Sequence, residues 1–87
     1  MITLYTKDFS EFFNIELTQM QQMHFELMRE VEAIHSSVKK EKIRIDGKWI
    51  TVIPFTEDLR LSLTIASIGS LTKNQVMELN NYSWIKY

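Results

Sequence analysis

The chain has no cysteine, one proline and two glycines among its 87 residues. The missing thiols exclude disulfides, thiolate nucleophiles and cysteine-ligated zinc or iron–sulfur centres in one step, and they fit a cytoplasmic location. Scarce glycine and proline leave few positions for strained loops, and no linker divides the chain, so residues 1–87 are expected to form one compact domain. Long apolar runs are also missing, so no segment is expected to span a membrane. The opening MITLYTKDF lacks the basic region and apolar stretch of a secretion signal. Neither sign of charge dominates, the formal net charge being −1. A nucleic-acid contact would therefore need a local basic patch. No glycine-rich phosphate loop, zinc-ligand spacing or nucleophile elbow occurs, so the expected function is non-enzymatic, with no cofactor and no metal.

What is present is an ordinary globular composition, 45% hydrophobic and 24% charged, in a chain short enough that its own core is marginal. The longest periodic segment runs from Thr18 to Val38 and predicts an amphipathic helix. At ~100° per residue, Met20, Met23, Leu27, Val31, Ile34 and Val38, with Leu17, His24, Met28 and His35, share an arc roughly 140° wide. This stripe is expected to pack on the domain's own sheet. Met20, His24, Leu27, Val31 and Ile34 also follow alternating steps of four and three, the spacing of a coiled coil, which makes them candidates for a dimer helix. Phe25 falls outside the arc among polar residues and is expected to need cover from elsewhere. His24 and His35 stand about 16 Å apart along the axis, too far to share a metal within one chain, and each is expected to be partly buried.

Local signals place the other elements. Ile2 to Thr6 reads as a strand. Asp8 with Glu11 has the form of a capping box and predicts a short helix through Phe13, with Phe9, Phe12 and Phe13 in the core. Thr18 with Gln21 is a second box, opening the long helix. Lys42 to Ile53 reads as a hairpin about Asp46-Gly47, a pair suited to a type I′ turn, with Trp49 and Ile50 on opposite faces. Thr56 to Ile68 carries two signals. Thr56-Glu57-Asp58 and Gly69 punctuate a helix, whereas Leu59, Leu61, Leu63 and Ile65 alternate as in a strand; the punctuation favours the helix. Thr72 with Gln75 opens a third helix reaching Leu79, and YSWIKY is a terminal strand beside the hairpin or beside Ile2 to Tyr5. The expected fold is α+β: one long amphipathic helix packed on a small antiparallel sheet (hairpin 42–53 plus terminal strands), with two or three short helices.

Three groups of residues are candidates for contact. Phe25, Trp49, Tyr82, Trp84 and Tyr87 are aromatic types that dominate protein interfaces. Lys39, Lys40, Lys42, Arg44 and Lys48 form a basic cluster around the hairpin, suited to a nucleic-acid backbone or an acidic protein surface. Residues 59–80 approach the spacing of a helix-turn-helix, with Lys73, Asn74 and Gln75 opening the recognition helix. The long helix, the hairpin IRIDGKWI and the helix opening TEDLR are together similar to accessory domains of bacteriophage tail and fibre-assembly proteins, over about half of the chain. That resemblance implies a small accessory protein of phage or mobile-element type. The expected function is protein binding as an inhibitor, regulator or assembly factor, in a homodimer, with DNA binding as the alternative.

Overall fold

The computed structural model describes residues 1–35 and 39–87. In chain order these form β1 (Ile2–Tyr5), β2 (Phe12–Ile15), α1 (Gln19–His35), β3 (Glu41–Ile45), β4 (Lys48–Pro54), α2 (Glu57–Ala66), α3 (Lys73–Glu78) with a 3₁₀ turn (Leu79–Asn81), and β5 (Trp84–Lys86). The end of the predicted long helix, residues 36 to 38, lies outside the described residues. All strand pairs are antiparallel in one five-stranded sheet of order β2-β1-β5-β4-β3. The architecture is thus the expected α+β one. The tail strand satisfies both of its expected neighbours, because Ile85 pairs with Leu4 on one side and Ile53 on the other.

The hairpin turns where its sequence indicates. Asp46 and Gly47 both take positive φ, 51° and 78°, as a type I′ turn requires. Thr56 caps α2, its hydroxyl accepting the Leu59 N–H at 3.3 Å, while Glu57 and Asp58 place negative charge in the first turn. The strand reading of this segment fails because α2 is apolar on two sides: Leu59, Leu63 and Ala66 are buried while Leu61 and Ile65 are exposed.

The short helix expected after Asp8 does not form. Asp8 instead accepts hydrogen bonds from the Ser10 hydroxyl (2.6 Å), the Thr6 hydroxyl (2.8 Å) and the Ser10 N–H (3.0 Å). An aspartate that can cap a helix can equally close a turn, and here strand pairing of Phe12–Ile15 with β1 decides the outcome. Phe9 sits in this turn at φ 60°. The bonds from Ser10 and then Thr6 hold the Asp8 carboxyl at about 2, against an ordinary 3.8.

Strand alternation divides the sheet into two faces. Leu4, Ile15, Ile53 and Ile85 project from one face into a core completed by Phe25 of α1, by Leu59, Leu63 and Ala66 of α2, and by Leu79 and Tyr82. Every buried apolar side chain of the helices belongs to that cluster, so the helices form a single layer on this face. The register puts Tyr5, Phe12, Trp84, Pro54, Val52, Ile50, Ile43 and Ile45 on the opposite face. Phe12, Phe13 and Phe9 therefore divide: Phe13 packs on the core, Phe12 is exposed, and Phe9 is half-buried.

Candidate functional site

The rotation of α1 about its own axis decides which surface the molecule presents. The expected capping box is formed: the Thr18 N–H donates to Gln21 Oε1 at 3.0 Å and the Gln21 N–H to Thr18 Oγ1 at 3.3 Å. Gln21 then reaches past its own helix, donating from Nε2 to the Ile68 carbonyl at 3.3 Å and accepting from the Ser70 hydroxyl at 3.1 Å. These bonds fix the Gln21 side of α1 against the loop that follows α2. Phe25, one turn further along, is then directed into the core.

The consequence reverses the expectation for this helix. Phe25 is 0% exposed, whereas Met20 is 82%, Ile34 78%, Met23 63%, Leu27 59% and Val31 42% exposed. The stripe expected to lie on the sheet faces away from it, except for Leu17 just before the helix, which is in the core, and the ring expected outside fills the core. His24 lies on the outward side and is exposed rather than partly buried, while the side chain of His35 falls outside the described residues. The physical reason is that Phe25, with Gln21 and half-buried Ala33, lies opposite the stripe at helical spacing. One large ring and a pair of hydrogen bonds to the loop after α2 anchor that side. The apolar surface continues to Ile65 of α2 and Ile68 of the loop after it, both exposed, whereas exposed Leu61 faces the groove shared with Val76 and Met77 of α3. A groove of about 250 Å³ between the helices is lined by Met20, Gln21, His24, Ile65 and Ala66.

The aromatic candidates separate into three settings. Tyr82 is buried and stacks on Phe13 at 5.8 Å, so it belongs to the core, and burial raises its phenol pKa. Trp84 lies on the opposite sheet face, stacked on Phe9 at 5.7 Å; Phe9 lies 5.9 Å from Tyr5, and Tyr5 lies 6.4 Å from Phe12. Tyr5, Phe9 and Phe12 were not among the sequence candidates. Period-two alternation in β1 and β2, combined with the pairing of β1 to β5, is the signal that groups them. Tyr87 lies beneath two cations, with Lys40 Nζ 3.7 Å and the Arg29 guanidinium carbon 4.9 Å from the ring centroid. The hydrogen bond from Lys40, and then its charge, lowers the Tyr87 phenol pKa.

The basic cluster does not converge on one surface. Arg44 pairs across strands with exposed Trp49, and Lys42 shares their face. Lys48 pairs with Ile45 on the other face, Lys40 is engaged by Tyr87, and Lys39 is exposed beside it. In α3, Lys73 and Asn74 are exposed. Gln75 is occupied by the capping box, its Oε1 accepting the Thr72 N–H at 2.9 Å and its own N–H donating to Thr72 Oγ1 at 3.2 Å.

Among the described residues no helix is long and apolar enough to cross a membrane, and no group of three or more His, Asp or Glu side chains is arranged to hold a metal ion. Comparison of the chain with protein-family models, with curated proteins and with solved structures found no match.

Proposed function

We propose that the protein is a non-enzymatic protein-binding module, an inhibitor, regulator or assembly factor acting in the cytoplasm, whose contact surface is the outward stripe of α1. The observation that carries this reading is the orientation of the helix. Met20, Met23, Leu27, Val31 and Ile34 form a contiguous apolar seam on a helix whose opposite side supplies the core. Scattered apolar residues are normal on a surface, whereas an apolar row rimmed by polar groups marks a contact site. Burying those five side chains recovers on the order of 5 kcal/mol or more, before the costs of association are subtracted. The mode is that of an amphipathic helix laid against another apolar element.

The helix-turn-helix alternative has element order in its favour, since α2 and α3 are joined by residues 67–72. Its proposed reading helix is only six residues long, and Gln75 is spent on that helix's own cap. Immobilised protein, presented with a host-cell lysate and analysed by mass spectrometry, distinguishes the two readings. Protein binding predicts retention that survives high salt and is lost in Leu27→Glu. Retention unchanged by Leu27→Glu refutes the stripe as the contact surface. Duplex DNA affinity that collapses with salt and with Lys73→Glu supports the alternative instead.

A further inference from the structure

We propose that the occupant of the outward stripe is a second copy of this chain, an inference that rests on the protein-binding reading. Spacing is the first argument. Met20, His24, Leu27, Val31 and Ile34 advance in steps of four and three along about 21 Å of helix, so an identical helix supplies matching knobs and holes along the whole seam. A two-fold pairing needs only one self-complementary patch, which this helix provides.

Charge is the second argument. Glu26 and Glu30, both exposed, flank Met23 and Leu27 in the middle of the seam, while the cations Arg29 and Lys40 stand beside Ile34 at its end. Along that acidic middle stretch phosphate backbones and anionic lipid surfaces are disfavoured as occupants. Area is the third. The exposed fractions of the five α1 residues and of Ile65 and Ile68 amount to roughly four and a half whole aliphatic side chains. At about 100 Å² each this is on the order of 450 Å² of apolar surface per copy, so two copies bury about 900 Å² before any polar rim is counted. With a polar rim added, this meets the lower bound of about 1,000 Å² for specific interfaces. The aromatic face of the sheet, with Tyr5, Phe12 and Trp84, is on the far side from the helices.

His24 is the polar member of the seam, and a polar residue at such a position fixes pairing at a cost in strength. Sedimentation equilibrium of the full chain across low to high micromolar concentration tests the proposal, with circular dichroism confirming the fold of each variant. Wild type is expected to approach twice the chain mass. Leu27→Glu and, separately, Ile34→Glu are expected to weaken association at least tenfold, and His24→Leu to strengthen it. A wild type that stays monomeric at high micromolar concentration overturns the proposal, as does a dimer that both glutamate variants leave intact. The lysate experiment reads the parent hypothesis independently: a monomeric wild type whose retained protein is still lost in Leu27→Glu overturns the second copy alone.

Discussion

Phe25→Ala and Leu27→Ala sit two residues apart on one helix, yet they are predicted to differ several-fold in their effect on stability. Phe25 is fully buried against Leu59, Leu63 and the sheet residues of the core, whereas Leu27 is more than half exposed. Truncating a buried phenylalanine loses its transfer free energy and leaves a cavity, costing about 3–5 kcal/mol. A domain of this size has on the order of 5–10 kcal/mol in total, and each kcal/mol shifts its midpoint by about 4–8 °C. Phe25→Ala should therefore lower Tm by more than about 12 °C, by the same amount at every protein concentration. Leu27→Ala removes a side chain that contacts little in the monomer, so in dilute protein its cost should stay within about 0.5 kcal/mol. In concentrated protein it should lose the added stability that association confers, because anything binding only the folded state stabilises it by mass action. Thermal and urea unfolding followed by circular dichroism at low and high micromolar concentration separates these terms. A Leu27→Ala cost as large as that of Phe25→Ala in dilute protein would place the stripe inside the domain and refute the outward orientation of α1.

Two further outcomes follow from the turns. Gly47 holds φ at +78° with open space where a Cβ would stand, so Gly47→Ala should cost about 1 kcal/mol through backbone strain alone, read from the urea midpoint; an unchanged midpoint would contradict the type I′ assignment. Asp8 is held at about 2 by its bonds to Ser10 and Thr6, below the ordinary 3.8. A depressed carboxyl contributes stability that is complete above the unfolded value and is lost as pH falls through the folded one. Wild type should thus lose stability relative to Asp8→Asn between about pH 4 and pH 2, and parallel pH profiles for the two proteins would show that the turn does not bind the carboxylate.

Much of the fold was legible because its signals are local. The boxes at Thr18 and Thr72, the Thr56 cap and the Asp46-Gly47 turn each depend on residues within one turn of the chain, and each formed where expected. Asp8 misled for the same reason, since its reach to Ser10 and Thr6 is as local as a helix cap, and only the distant pairing of Phe12–Ile15 with β1 decides between them. The α1 stripe was visible in full, down to its heptad spacing, but periodicity locates a stripe without saying what it faces. That choice is made by Gln21 bonding to Ile68 and Ser70, nearly fifty residues away, and by the depth of the core at Phe25. The aromatic cluster of Tyr5, Phe9, Phe12 and Trp84 was hidden similarly, because β5 joins β1 across almost the whole chain. Tyr82 and Trp84, neighbours in one alternating tail, consequently serve opposite sides of the sheet.

The orientation of α1 is tested most directly by methionine oxidation, because the chain carries its own references. Met20 and Met23 are on the stripe, while Met1 and Met77 lie off it with exposures of 66% and 62%, close to the 63% of Met23. Peroxide converts accessible methionine to the sulfoxide, and the rate at each position can be read by peptide mass spectrometry. In dilute protein, Met20 and Met23 should oxidise as fast as Met1 and Met77; as concentration rises, Met20 and Met23 should slow while Met77 does not. Met20 and Met23 oxidising slowly at every dilution would mean that the stripe faces the domain's own core, contradicting the outward helix on which the proposed function rests.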